Sequence, residues 1–146
     1  MAFGIEIETS EEGHIDFDGM IKRLNELDGK KAEAGIFGGF AQKKAMWQEY
    51  GTSRGIPARP FLRNTFYEYQ DRWTQFVGPM VAALINGGNP SSVMPKLGSM
   101  MANNIKMTIA SGDFAPLAAA TIKAKGHAKP LIDTGDMYGS VTHKEG

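Results

Sequence analysis

The chain has 146 residues, no cysteine, and 16 Lys plus Arg against 16 Asp plus Glu, so its formal net charge is zero. Its length fits one domain (residues 1–146), its balanced charge argues against bulk attraction to nucleic acid or an anionic membrane, and the absence of cysteine excludes disulfides and thiolate chemistry. The longest apolar run, residues 80–85, is far shorter than the roughly 20 residues that span a bilayer. Because residues 1–6 show no basic region followed by an apolar one, we expect no signal peptide and synthesis in a cytoplasm.

The first part of the chain predicts the order strand, helix, strand. Residues 3–8 alternate apolar and polar side chains, which is the period of a strand with one solvent-exposed face. Asp16 or Asp18 can cap a helix that closes at Asp28-Gly29. Its apolar stripe consists of Phe17, Met20, Ile21, Leu24 and Leu27. The alternation in residues 31–37 then predicts a second strand before Gly38-Gly39.

Two helices joined by a loop follow. Residues 41–50 favour a helix that ends at Gly51, and the loop of residues 51–59 is long enough to reach a neighbouring molecule. The next helix begins near Phe61 and is predicted to be the core helix, with a kink or restart at Gly78-Pro79. The stripe assigned to the core consists of Leu62, Phe66, Tyr69, Trp73, Phe76 and Met80.

The last part of the chain predicts another helix, a connector and a strand. Residues 89–92 can cap a helix with the stripe Val93, Leu97, Met100, Met101, Ile105 and Ile109. We expect a short helix around residues 118–123, a loop at residues 125–130 and a closing strand within residues 137–144. The predicted fold class is α+β. A small mixed sheet, made of the N-terminal strand, the strand near residues 31–37 and the C-terminal strand, packs on two or three helices with long loops.

No pattern of catalytic residues stands out. His14, His127 and His143 lie in three separate segments without metal-ligand spacing, so we predict no metal site and no cofactor. Asp133 and Asp136 could act as acid and base in a hydrolase, but Asp beside Thr-Gly is more often a turn or helix cap. We therefore predict no catalytic residue and no small-molecule substrate.

Two groups of basic residues could bind a partner. Lys123, Lys125 and Lys129 form a concentrated basic loop that could contact DNA phosphates, although a solvated loop is the commoner role. Arg59 and Arg63 flank Phe61-Leu62, and arginine is enriched at protein interfaces. An ion pair within the chain, for instance with Glu68 or Asp71, is the alternative for these arginines, and the sequence leaves both open.

Two motifs carry a resemblance to a known family. The first joins Glu-Tyr-Gly-Thr at residues 49–52 to Ile-Pro-Ala-Arg-Pro-Phe-Leu-Arg at residues 56–63. The second is Pro-Leu-Ile-Asp-Thr-Gly-Asp-Met at residues 130–137, with Ser140 after it. In this order and separation they resemble the virion-morphogenesis, neck and tail-completion proteins of tailed bacteriophages, including tail terminators, over roughly residues 32–143.

The resemblance implies a structural role. It implies a small α+β subunit of a ring, commonly a hexamer, around the DNA channel at the head-to-tail junction, with neither catalysis nor a cofactor. The implied location is the virion, after synthesis in the host cytoplasm. The implied partners are further copies of the chain, the neighbouring connector and tail proteins, and DNA in weak or transient contact. The ring's level in the neck or tail stays open.

These implications lead to two sets of candidate site residues. The candidate subunit interface consists of Glu49, Thr52, Arg59, Pro60, Phe61 and Arg63. The candidate DNA-channel contacts are Lys123, Lys125 and Lys129. A small DNA-binding module that uses the Lys123–Lys129 loop is the competing hypothesis, and it predicts binding that weakens steeply with salt.

Overall fold

A computed structural model of the chain describes residues 16–111 and 136–146. In chain order its elements are α1 (Phe17–Leu27), β1 (Ala32–Gly35), α2 (Gly39–Tyr50), α3 (Phe61–Ile85), a 3-10 turn (Pro90–Ser92), α4 (Val93–Ser111), α5 (Asp136–Gly139) and β2 (Thr142–Glu145). The fold is a small α+β fold, as predicted. The predicted strand at residues 3–8 and the connector after residue 111 lie outside the described residues. Within the described ranges, no helix combines the length and apolar character needed to cross a membrane.

The core lies between the two long helices. The largest fully buried apolar side chains are Phe61 and Leu84 of α3 and Val93 and Ile109 of α4. Each contributes about 1.5 to 3 kcal/mol by leaving water. The central core cluster joins Phe61 and Ile109 to Ala102 and Ile105 of α4 and to residues of the other elements, namely Ile36 after β1, Ala45 of α2 and Val141 before β2. Helix α4 therefore contacts α3 on one side and the sheet on another.

Polar pairs fix the register of α3 against α4. Thr65 of α3 is fully buried, and its hydroxyl lies 2.8 Å from the hydroxyl of Thr108 of α4. Farther along α3, the indole N–H of Trp73 donates to the side-chain oxygen of Asn104 at 2.7 Å. Buried polar groups without partners are costly. A shift of one helix along the other would separate both pairs, so the present alignment is favoured.

The sheet has two antiparallel strands in the described residues. Ala34 of β1 lies opposite His143 of β2, and Gly35 lies opposite Thr142. The sheet packs on α4 at Gly98, where an added Cβ would lie 2.7 Å from the His143 ring. The predicted strand near residues 31–37 is confirmed in shorter form. The predicted C-terminal strand is confirmed only at residues 142–145, because Asp136–Gly139 is helical instead.

Three helix predictions are confirmed by their caps. The side chain of Asp16 accepts a hydrogen bond from the N–H of Gly19 at 3.0 Å and starts α1. Gly51 ends α2, which begins two residues earlier than predicted. Asn89 accepts from the N–H of Ser91 at 3.0 Å ahead of α4. These caps lie next to the helices that they serve, which is why the sequence reveals them.

The structure changes two details predicted for α3, the restart at Gly78-Pro79 and the burial of Phe66. The helix runs through Pro79 without a restart. Pro79 has no N–H to donate to the carbonyl group of Gln75, four residues earlier in the helix. Both residues are exposed, so water can reach that carbonyl group. The predicted stripe is buried or half-buried except at Phe66, which is 50% exposed, while Thr65 beside it is fully buried. Thr65 lies on the same side of α3 as the buried residues Phe61 and Tyr69, and Thr108 of α4 gives its hydroxyl a partner there, whereas Phe66 points about 100° away from that side.

We expect Trp73→Phe to lower the free energy of unfolding by about 1 to 2 kcal/mol, because Asn104 loses its indole donor while most of the apolar area stays. Urea unfolding followed by circular dichroism measures the change. Trp47→Phe is the matched control, since Trp47 is 42% exposed on α2 and its replacement should change the unfolding free energy by less than about 0.5 kcal/mol. Equal losses in the two variants would contradict a stabilising indole–amide bond.

Candidate subunit interface

The first sequence motif forms the corner between α2 and α3. Helix α2 ends at Gly51, whose φ of +74° is in the left-handed region that favours glycine. The next residues form a tight turn, in which the N–H of Thr52 donates to the carbonyl of Ile56 at 3.0 Å and the N–H of Gly55 donates to the carbonyl of Thr52 at 3.2 Å. The loop therefore closes on itself, and its contact with a neighbouring molecule stays a prediction.

Close backbone approach holds this turn against α2. A Cβ at Gly51 would lie 2.8 Å from the carbonyl oxygen of Ile56 and 3.0 Å from the nitrogen of Ala58. The N–H of Arg59 donates to the carbonyl of Gln48, in the last turn of α2. The corner thus needs glycine at position 51 for two reasons, its positive φ and the absence of a side chain.

Glu49 caps α3 from the preceding helix. Pro60, which precedes α3, makes no side-chain hydrogen bond to it. Glu49 is only 3% exposed, and its carboxylate accepts hydrogen bonds from the backbone N–H groups of Leu62 at 2.8 Å and Arg63 at 3.1 Å. The first N–H groups of a helix have no partner within it, and the helix dipole favours negative charge at that end. The carboxylate meets both needs of α3.

Arg63 compensates the charge of this buried carboxylate. Its Nε donates to Oε1 of Glu49 at 2.9 Å, and its Nη2 donates to the backbone carbonyl of Glu49 at 2.6 Å. The guanidinium also lies over the Tyr50 ring, 5.1 Å from its centre. The ion pair of Arg63 is thus within the chain, and its partner is Glu49 rather than either Glu68 or Asp71.

Arg59 and Phe61 are also interior residues. Arg59 is 5% exposed and its Nη1 donates to the side-chain oxygen of Gln48 at 3.1 Å. Burial lowers the pKa of the Arg59 guanidinium from its ordinary value, and the group still carries its charge at neutral pH. Phe61 is fully buried in the core.

The candidate interface residues therefore divide into two groups. Glu49, Arg59 and Phe61 were predicted to contact a neighbouring subunit, and this is corrected by their burial within the chain. Thr52 and Pro60 are half-buried, and about half of the Arg63 side chain is exposed. The motif builds the corner, and its exposed residues are mainly Tyr50 and residues 56–58.

The other predicted site residues fall mostly outside the described part of the chain. Lys123, Lys125, Lys129 and Asp133 lie there, so the DNA-contact and hydrolase hypotheses stay predictions. His143 of β2 pairs with Glu145 at 3.5 Å. Across residues 16–111 and 136–146, no group of three or more His, Asp or Glu residues is placed to hold a metal ion.

An exposed apolar surface lies beside the corner. We define the corner surface as Met46 and Tyr50 of α2 with Phe66 and Tyr67 of α3. These side chains are 54%, 68%, 50% and 71% exposed, in that order. They line a groove of about 490 Å³. Large apolar residues clustered at a surface typically mark an interaction site, whereas single ones do not.

A second groove extends this apolar surface along α3 and α4. It has a volume of about 480 Å³, and its lining includes Phe66, Trp73, Leu97 and Met101. Phe66 lines both grooves, and its ring centre lies 6.2 Å from that of Trp73. The apolar surface therefore continues from α2 across α3 to α4.

Sequence reasoning missed the corner surface, although one signal was present. Phe66 and Tyr67 are consecutive, and consecutive side chains in a helix point about 100° apart. When only one side of a helix is buried, two such side chains cannot both lie at the centre of that side. A pair of adjacent aromatic residues within a helix could therefore have indicated an exposed aromatic side chain.

Comparison with known proteins found that no family model, no curated protein and no solved structure matches this chain. The resemblance to phage neck and tail-completion proteins therefore depends on the two motifs alone. The first of these motifs forms the corner between α2 and α3, and most of the second lies outside the described residues.

We expect Glu49→Ala to lower the free energy of unfolding by about 2 to 4 kcal/mol, because two backbone N–H groups at the start of α3 lose their charged acceptor. Arg63→Ala should have a smaller effect of about 1 kcal/mol, since its half-exposed ion pair is screened by solvent. Urea unfolding measures both. The control Glu68→Ala changes an exposed carboxylate of α3 and should stay within about 0.5 kcal/mol of the unmodified chain. A loss for Glu49→Ala no larger than that of the control would contradict the cap.

We expect Gly51→Ala to destabilise the chain by about 2 to 3 kcal/mol, through backbone strain and collision with the turn. Gly55→Ala is the matched control. Gly55 also has a positive φ, of +101°, but an added Cβ would have nothing within 4 Å. We therefore expect Gly55→Ala to cost only the backbone strain, about 1 kcal/mol. Thermal unfolding of the two variants measures the difference. Equal shifts in Tm would show that the close approach at Gly51 contributes nothing.

Proposed function

We propose that the chain is a structural subunit of a multimeric assembly, and that this assembly is a ring at the head-to-tail junction of a tailed bacteriophage. The observation that carries the proposal is the corner surface, which exposes Met46, Tyr50, Phe66 and Tyr67 together. Aromatic residues and methionine are enriched at protein–protein interfaces. A partner that covered these side chains would remove a large apolar area from water, which favours association.

The rigidity of the corner supports this role. Tyr50 ends α2, Phe66 lies in the second turn of α3, and Glu49 joins the two helices through hydrogen bonds to the start of α3. Arg63 further restricts the Tyr50 ring. A surface that is ordered before it binds loses less conformational entropy on association. The corner surface is therefore suited to a stable contact.

The first motif supports the phage part of the proposal through architecture. Its residues Glu49, Gly51, Arg59 and Phe61 are those that the corner requires for its cap, its turn and its core contact. A protein that shares these residues would form the same corner, and its own exposed residues would lie beside that corner as the corner surface does here. The ring form, its location in the virion and the passage of DNA through it come from the resemblance.

The mass of the purified protein tests the proposal, measured by native mass spectrometry with and without tail tubes or tailless heads of a tailed phage. We expect a ring, or a monomer that becomes a ring on those particles. Phe66→Ser/Tyr67→Ser should weaken assembly or recruitment at least about tenfold, because it removes two of the three aromatic side chains of the corner surface. Gln75→Ser, an exposed polar change on α3, should leave it unaltered.

A protein that stays monomeric and binds neither tail tubes nor tailless heads would contradict the proposal. If that monomer also bound DNA with an affinity that falls steeply with salt, a nucleic-acid module using Lys123, Lys125 and Lys129 would replace it.

A further inference from the structure

We infer that copies of this chain associate head to tail, with the corner surface of one copy seated on the exposed edge of the apolar stripe of α1 in the next. This inference rests on the proposed function, and it names a second copy of the chain as the occupant of the corner surface. A closed ring needs two different faces on each subunit, because a face that binds itself stops at a dimer. The structure supplies a second apolar face of the required kind.

The second face is the exposed edge of the apolar stripe of α1. Phe17 is 58% exposed and Ile21 is 55% exposed, although both are large and apolar. They are four residues apart, so they lie next to each other on one side of the helix. We call this pair the α1 surface. The remaining apolar residues of α1 are half-buried on the side that packs against α3, namely Met20, Leu24 and Leu27.

The two surfaces are held at opposite ends of α3. The corner surface adjoins the first turns of α3, where Glu49 caps the helix. Helix α1 is joined to the last turn, where Arg23 donates to the carbonyl groups of Leu84 and Ile85, the latter at 3.0 Å. Helix α3 has 25 residues and is therefore about 37 Å long. A middle copy can thus contact a second copy through the surface at one end of its α3 and a third copy through the surface at the other end.

The charges near the two surfaces are opposite in sign. Residues 16–28, which contain α1, carry four acidic and two basic side chains, a net charge of −2. Residues 39–67, which contain α2 and the whole corner surface, carry one acidic and five basic side chains. Arg59 is buried and Arg63 pairs with Glu49, so the charge excess outside the interior is +3, from Lys43, Lys44 and Arg54. Opposite potentials favour and orient a contact between different faces, whereas two corner surfaces would repel each other. Charge thus selects the α1 surface as the partner of the corner surface.

Two variants that each remove one surface test this inference. The corner variant is Phe66→Ser/Tyr67→Ser, and the α1 variant is Phe17→Ser/Ile21→Ser. Each should be monomeric alone, with self-association weakened at least about tenfold. An equimolar mixture should form one-to-one dimers and nothing larger, because each dimer joins the intact α1 surface of the first to the intact corner surface of the second. Sedimentation velocity and native mass spectrometry measure this, free in solution and on the phage particles.

Charge reversal gives an independent test with substitutions on the exposed surface. Lys43→Glu on α2 and Asp18→Lys on α1 should each weaken association severalfold, and the double variant should regain it because the two charges again have opposite sign. Circular dichroism and thermal unfolding check that every variant is folded. Gln75→Ser serves again as the control that leaves association unchanged. Failure of the double variant to recover would count against the inference.

The results separate this inference from the proposed function. If the α1 variant self-associates as well as the unmodified chain, the corner surface binds something other than α1, and the inference is overturned. The same holds if the mixture forms no dimers while the unmodified chain assembles, in which case the proposed function stands. If the unmodified chain neither assembles nor joins the particles, both are overturned.

Discussion

Charged side chains from two different helices cap the two ends of α3, and the rest of the structure depends on these caps. Glu49 of α2 accepts hydrogen bonds at the first turn, and Arg23 of α1 donates hydrogen bonds at the last turn. Each charge has the sign that the helix dipole favours at its end. Each also satisfies backbone groups that a helix cannot satisfy by itself. The ends of α3 therefore determine where α1 and α2 lie.

This arrangement explains why so much apolar surface stays outside. Helix α3 buries one side against α4, with the hydroxyls of Thr65 and Thr108 in contact near the start of α3 and the end of α4. The flanking helices contact α3 near its ends rather than covering its length. Phe66 and Tyr67 consequently remain exposed on one side of the first cap, and Phe17 and Ile21 remain exposed near the second. An assembly of copies would cover both.

The family-like motif has a structural meaning that differs from the one its composition suggests. Arginine and phenylalanine beside prolines resemble an interface, yet Arg59 and Phe61 are buried and Glu49 caps a helix. The motif therefore acts indirectly. It joins α2 to α3, and residues outside the motif, such as Phe66 and Tyr67, form together with Tyr50 of the motif the surface that a partner would contact.

The sequence by itself determined the local features of the chain, since Asp16, Gly51 and Asn89 act on the helix beside them and the alternation near residues 31–37 is visible in one short segment. Only the tertiary structure decided which side of α3 is buried and which carboxylate pairs with Arg63. The sequence contains Glu49, Glu68 and Asp71 near Arg63 and does not distinguish which of these carboxylates pairs with it. The turn at Gly51 brings Glu49 alone to the free N–H groups of α3. Partner choice depends on distances between separate elements, and these distances exist only once the elements are packed.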